Sequence, residues 1–394
     1  MIDPRLCNSR YSPLVTRHFF LCALCILCVL CVNSFFFSGS ASRAQNLDKP
    51  LQSIDEDVTA FAFAPDGRIV YAVNRNFKTK HYVLEHDDIW LQEANGKRRR
   101  LIEAQKLTHG SEPFSYIVDS FGWSPNGHLI VANLLASSVE EDSGRSNDSF
   151  MALLLDDSGH EIKIGKGESI IPDAARAFWL PDNATLVYLS EAIKPRMLFS
   201  LNATNIGMGK LKSFYEGRTF RDIVPVRRMN FAVAIEQERG MIGPCRLQYL
   251  DLVSDNDNEV ATLDGCEGGL SVSPSGKKVA YFLDKEVLEI RDLYAPTHVA
   301  RARVGFGTFQ WSADESRILL KRAFEKKSAE LVWVDLPPLA AVAKNQAIPI
   351  AQPTPTLILH GLTFRDFGIS PDGRFLGVVI PGKRNLLIFP LPQR

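Results

Sequence analysis

Thr363-Phe-Arg-Asp-Phe-Gly-Ile-Ser-Pro-Asp-Gly-Arg-Phe-Leu-Gly-Val-Val-Ile380 decides the fold, because it joins two apolar runs through a Ser-Pro-Asp-Gly turn. Pro371 presets φ for the second position of a type I turn, Asp372 can bond its own backbone, and Gly373 supplies the left-handed residue that closes it. Two strands flanking such a turn make an antiparallel hairpin.

Worn copies of the phrase recur along the chain. Phe61-Ala-Phe-Ala-Pro-Asp-Gly67, Phe121-Gly-Trp-Ser-Pro-Asn-Gly127, Phe178-Trp-Leu-Pro-Asp-Asn183, Leu270-Ser-Val-Ser-Pro-Ser-Gly276 and Phe309-Gln-Trp-Ser-Ala-Asp-Glu315 keep most of the turn chemistry. A further copy has lost both Pro and Gly, but Thr219-Phe-Arg-Asp222 repeats Thr363-Phe-Arg-Asp366 and puts Arg227 under Pro371. Read at that position, the seven copies fall at 65, 125, 181, 227, 274, 313 and 371, a period of 39 to 60 residues. That is the size of a four-stranded propeller blade. The expected fold is all-β: a seven-bladed β-propeller, rather than one of six or eight blades, built of four-stranded antiparallel sheets and filling residues 45–394 as one domain.

Residues 1–44 read as a signal peptide. Arg5, Arg10 and Arg17 precede the apolar run Phe19 to Val32, and the small-residue stretch Ser38 to Ala44 follows. The run has the length of a signal-peptide core and is short of a membrane span, which predicts cleavage after Ala44 and a periplasmic or secreted product with no membrane span. Joining Phe35 to Phe37 to the run gives the alternative, an uncleaved N-terminal anchor.

Cys7, Cys22, Cys25, Cys28 and Cys31 lie in that leader, where cysteine serves as a small apolar residue. Only Cys245 and Cys266 remain, flanking a hairpin whose polar turn is Ser254-Asp-Asn-Asp-Asn258. In simple antiparallel register the two face each other, which predicts a cross-strand disulfide worth about 3 kcal/mol by loop closure and an oxidising compartment. Two unrelated buried thiols are the alternative.

Of 45 basic and 45 acidic residues, four and one fall in the leader, leaving 41 against 44 and a net charge of −3. Nothing in that balance points to nucleic acid or an anionic membrane surface as partner. Lys97-Arg-Arg-Arg100 reads as a solvated strand edge.

The two ends of the chain explain each other. After the last turn, Phe375 to Ile380 and Asn385 to Leu391 supply two more strands, and a fourth is missing. An open edge there invites aggregation, so Leu51 to Ile54 is expected to pair beside 385–391 and shut the ring. The polar, acidic insertion from Ala136 to Asp148 reads as a loop on the binding face, and the Pro/Ala-rich piece from Pro337 to Pro355 as a linker-like excursion.

Ser-Pro-Asp-Gly turns followed by a strand, with a later strand of the Asp88-Ile-Trp-Leu type, resemble the repeats of the TolB family and of WD40-like propellers in general. The resemblance covers residues 55–392. It implies the propeller and little about function, since such repeats serve scaffolds, peptidase lids and unrelated enzymes. The TolB family has an additional N-terminal domain and six blades, so its envelope role is not carried over.

The chemistry is sparse. No Gly-x-Ser-x-Gly elbow, Cys-x-x-Cys-His or Walker loop occurs, and no cofactor or metal is expected. His81 and His86 with Asp87-Asp88 invite a metal reading, but five-residue spacing on a strand sends the imidazoles to opposite faces. Asn147, Asn183 and Asn202 open Asn-x-Ser/Thr sequons that would be chance matches in a bacterial exported protein. One constellation stands out: Arg221-Asp222 and Arg365-Asp366 enter two inner strands, with His360 close by in sequence. These charges are expected at the mouth of the axial channel, either as ion pairs fastening loops to strands or as a polar rim that grips a peptide or small anion. The reading is a monomeric, exported module of the cell envelope that binds or scaffolds a protein or peptide and is not an enzyme. A hydrolase or lyase at the channel mouth is the alternative.

Overall fold

Every copy of the turn forms, the hidden one included. In each, the N–H two residues past the proline position donates to the carbonyl three residues back, as from Gly373 to Ser370 (2.8 Å) and from Met229 to Val226 (3.2 Å). Gly67, Gly127, Gly276 and Gly373 close their turns in the left-handed region. Glu315 adopts it at φ 58°, a strained choice for a side chain, and its carboxylate accepts the N–H of Ser275 in the preceding copy at 2.5 Å.

The computed structural model describes residues 47, 49–78, 83–104, 115–139, 146–192, 198–209, 211–215, 218–227, 229–237, 244–254, 256–324, 328–343, 346–362, 364–380 and 385–392. A short β1 (Gln52–Ile54) comes first. The first copy then gives β2 (Val58–Phe63), β3 (Ile69–Lys78), β4 (Val83–Gln92) and β5 (Arg98–Ile102), and the second β6 (Ser115–Trp123), β7 (Leu129–Val139), β8 (Ser146–Asp156) and β9 (Ile170–Pro172). The third supplies β10 (Ala174–Trp179), β11 (Thr185–Ala192), β12 (Leu198–Asn205) and β13 (Leu211–Phe214), and the fourth β14 (Thr219–Pro225), β15 (Phe231–Gln237), β16 (Cys245–Asp251) and β17 (Asp257–Leu263). From the fifth come β18 (Gly268–Val272), β19 (Lys278–Phe282), β20 (Val287–Asp292) and β21 (His298–Arg303). The sixth gives β22 (Gly307–Trp311), β23 (Arg317–Phe324), β24 (Ser328–Asp335), the short β25 (Ala340–Ala341) and β26 (Ile350–Ala351), and β27 (Thr356–Leu362). Last are β28 (Asp366–Ile369), β29 (Phe375–Ile380) and β30 (Asn385–Pro390). Among the described residues no helix is long and apolar enough to cross a membrane.

The pairing of these strands corrects the expected seven four-stranded blades. They form six sheets, of which only five stand as single blades; the sixth has eight strands and holds the first two copies together. His86 of β4 pairs in parallel with Tyr116 of β6, and that one bridge fuses β2–β5 with β6–β9. Both residues are buried, their rings 5.7 Å apart, and Asp87 accepts the N–H of Val118 beside them at 2.8 Å. A single parallel pair leaves no alternation in a sequence.

One of the five single blades is also larger than expected. β25 pairs antiparallel and β26 parallel with β21, so the Pro/Ala-rich excursion is no linker but a cover for an outer edge that would otherwise be open.

Closure by the N-terminal strand holds. Gln52, Ser53 and Ile54 lie opposite Ile388, Leu387 and Leu386, and Asn385 donates to Asp55 at 2.9 Å. Ile54 is fully buried, and its burial alone is worth about 2 kcal/mol. Removing residues 45–56 is expected to lower the melting temperature by at least about 3 °C. An unchanged melting curve would contradict the pairing.

Apolar clusters fill the spaces between consecutive copies and between the last and the first. At that final joint the ring of Phe61 packs against Gly368 and Gly377, and a Cβ at 377 would stand 2.4 Å from it. The ring of apolar joints therefore depends on a residue without a side chain at this position.

Candidate functional site at the channel mouth

Inner strands β2, β6, β18, β22 and β28 wall a cavity of about 390 Å³. Phe61, Phe121 and Trp311 give it aromatic walls, Ser271 and Gln310 polar ones, and Asp366 its carboxylate. Gln310 donates to the carbonyl of Phe367 at 3.2 Å and accepts the N–H of Ile369 at 2.8 Å, which locks β28 in place.

Backbone bulges shape the rim. The ladder slips at Thr59 in β2, Asp119 in β6, Arg176 in β10 and Arg221 in β14, each at the end of the inner strand away from its turn. Bulges re-aim side chains, and three of these four positions, Asp119, Arg176 and Arg221, are charged. Arg176 holds φ 52° and forms an ion pair with Asp222, whose other oxygen accepts the N–H of Leu270 at 3.0 Å. Arg221 donates to Gln237 (2.7 Å) and to the carbonyl of Cys266 (2.5 Å). This Arg-Asp pair therefore fastens its blade to both neighbours.

The second pair behaves differently. Asp366 accepts the N–H of Phe367 at 2.8 Å, and Lys321 of β23 donates to the carbonyl of Arg365 at 2.6 Å. Burial raises the Asp366 carboxyl above the usual range, and the Asp119 charge adds to this against the pull of the Phe367 N–H, Lys321 and Arg365. Burial likewise lowers the Lys321 ammonium, with Asp366 opposing. Arg365 lines a second cavity.

Other expected site residues lie elsewhere. His360 is exposed on β27, the outermost strand of its sheet, so it does not join the Arg-Asp pairs. His81 falls outside the described residues. His86, Asp87 and Asp88 are buried, and Asp88 is taken by Arg75 (2.9 Å) and the N–H of Ala104 (2.8 Å). Among the described residues no group of three or more His, Cys, Asp or Glu is arranged to hold a metal ion.

Cys245 and Cys266 are joined in a disulfide, with Cα atoms 6.1 Å apart. They are not cross-strand partners. The hairpin turns about two residues earlier than the midpoint of the two cysteines, with Leu250 opposite Asp257, so Cys245 faces Leu263, and Cys266 reaches back from the loop beyond β17. Breaking the bond should cost about 3 kcal/mol by loop closure, and a Cys245→Ser, Cys266→Ser double variant read by urea unfolding measures it. A stability equal to that of the parent would show the loop to be constrained by Arg221 alone.

Asp119, Arg176, Lys321 and Gln310 were not singled out from sequence. Arg176 stands five residues before its turn proline position, as do Asp222 and Asp366, so aligning the copies marks it.

No protein family matches the sequence, and no curated protein does. Solved structures do. A chain of the crystal structure of the mitotic checkpoint complex superposes with a TM-score of 0.51 at 12% identity, over 88% of this chain and 96% of that one. The β-propeller domain of Cps50 (Swd1) from Myceliophteria thermophila gives 0.52 at 12% identity, over 87% of this chain and 100% of that one. The fold is a WD40-like β-propeller. At this identity the likeness concerns the fold alone, and it does not bear on the TolB type of repeat.

Proposed function

We propose that this propeller is a protein- or peptide-binding module whose contact surface is the mouth of the axial cavity. The observation that carries the reading is the aromatic-walled cavity of about 390 Å³ on the inner strands, lined by Phe61, Phe121 and Trp311 together with the polar Ser271 and Gln310 and the charged Arg227 and Asp366. The solved propeller in the mitotic checkpoint complex belongs to a protein assembly, which agrees with this use of the fold.

Photo-crosslinking tests it. A crosslinker at Ser271, in the cavity wall, should capture one discrete protein, and the same probe at His360, on the outer strand, should not. Equal capture from both, or none from Ser271, would defeat the reading.

The same proposal includes export. The leader of residues 1–44 and the Cys245–Cys266 bond support it, and a protein recovered from the envelope fraction should begin at Gln45. An N-terminus at Met1 would favour the uncleaved anchor.

A hydrolase or lyase at the same mouth is the second reading. Its support is the Asp366 carboxyl, raised by burial and, to a smaller extent, by the charge of Asp119. A substrate whose turnover is lost in Asp366→Asn, with crosslinking from Ser271 unchanged, would favour it.

A further inference from the structure

Beside the channel, where the last copy meets the first two, lies a second cavity of about 320 Å³. Asp57, Thr59, Asn74, Glu85 and Arg365 line its polar side. Val58, Ile117 and Val379 make the apolar one.

Two of these charges make no direct contact with a protein group among the described residues, although Arg365 acts at longer range on the buried carboxyls of Asp87 and Asp366. Among the described residues the guanidinium of Arg365 makes no hydrogen bond or ion pair, and neither does the carboxylate of Glu85; the recorded bonds of both residues are made by their backbones. A cation and an anion on the walls of one cavity would ordinarily close on each other, and these do not. The floor is built as well. Asn74 is 7% exposed and gives its amide N–H to Asp87 at 3.3 Å, while its carbonyl oxygen is buried with no partner. A buried acceptor left in this state costs stability unless something donates to it.

We propose that this cavity binds a free α-amino acid with an apolar side chain. The carboxylate lies on Arg365 and the ammonium on Glu85. The side chain rests on Val58, Ile117 and Val379. An uncompensated base faces an uncompensated acid, and a ligand with both charges satisfies each wall. The volume equals roughly ten waters at ~30 Å³ each and lies near the lower bound for small-molecule pockets, which suits one residue and not a folded chain. The site stands apart from the protein-binding mouth, and its test is independent of that reading.

Calorimetry on the full chain decides it with L-leucine, N-acetyl-L-leucine and L-leucinamide as probes. Leucine should bind, and each blocked form should bind roughly tenfold more weakly, having lost one charge-assisted contact. Arg365→Met should remove the difference between leucine and its amide. Glu85→Gln should remove the difference between leucine and its acetyl derivative. Both replaced side chains are exposed, so the melting temperatures should stay close to the parent's, and the three-probe comparison needs no variant. The proposal is overturned if none of the probes binds at millimolar concentration. Acetyl-leucine binding as well as leucine would reduce the site to an anion contact, and the amide binding as well would reduce it to a cation contact; either outcome overturns it too.

Discussion

Glu289→Ala is expected to cost about 3–5 kcal/mol of folding stability, more than any single truncation on the channel rim. Glu289 is 1% exposed in the middle of its blade and sits in a ladder across three strands, opposite Tyr281 on β19 and Arg301 on β21. Its carboxylate accepts from Arg291 at 2.6 Å, from Arg301 at 2.8 Å and from the Tyr281 hydroxyl. Burial, followed by the Glu289 charge, pushes the Tyr281 hydroxyl above its ordinary range, so the phenol stays a donor. Alanine would leave two largely buried guanidiniums facing a hole. Their desolvation cost would persist while the compensating charge is gone. Glutamine keeps the volume and one acceptor, so it should lose less than alanine. Chemical unfolding of the three proteins gives the order, and a loss below about 1 kcal/mol for alanine would mean that water replaces the carboxylate.

That cluster marks where reading the sequence stops. The repeat was legible down to single positions: aligning Thr219-Phe-Arg-Asp222 with Thr363-Phe-Arg-Asp366 requires Asp222 and Asp366 to sit at matching rungs, and they face Ile235 and Val379, which the alignment also matched. Turn chemistry is local, so it survives the loss of Pro and Gly at Arg227 as long as the flanking strands are apolar. Closure by β1 was legible for a similar reason, because an unpaired edge in the last copy needs a partner.

The division into sheets was not. It depends on His86 and Tyr116 meeting across two copies, and Cys245 and Cys266 miss each other across the ladder because the hairpin turns about two residues before their midpoint, with a one-residue bulge in the same ladder. Such events insert or share one residue, which period-two reasoning cannot register. The site was half legible. Arg-Asp doublets announced themselves by repetition, whereas Asp119, Arg176 and Lys321 reach the rim from strands whose sequences look unlike one another.

Asp87 carries the other large expectation. It is fully buried where the first two copies join, accepting from Thr59 at 2.9 Å, from the N–H of Val118 at 2.8 Å and from Asn74 at 3.3 Å. Asp87→Ala would orphan three buried donors at about 1–2 kcal/mol each, so a loss of roughly 3–6 kcal/mol is expected. Asparagine should behave differently, because burial pushes the Asp87 carboxyl up to about 6, against the lowering effect of Val118, Thr59, Asn74 and Arg365. A carboxyl whose folded value lies above the unfolded 3.8 binds its proton more tightly in the fold. Its contribution to stability is therefore complete below about pH 4 and is lost as pH rises through about 6, a change of roughly 3 kcal/mol at 1.36 kcal/mol per pH unit. Asp87→Asn has no proton to lose. Relative to the parent, its unfolding free energy should rise by about that amount between pH 4 and pH 7.5. Parallel pH curves for the two proteins would mean that Asp87 is ionised throughout, held by Arg365 and its three donors, and that the joint between the first two copies rests on a buried carboxylate rather than on a neutral acid.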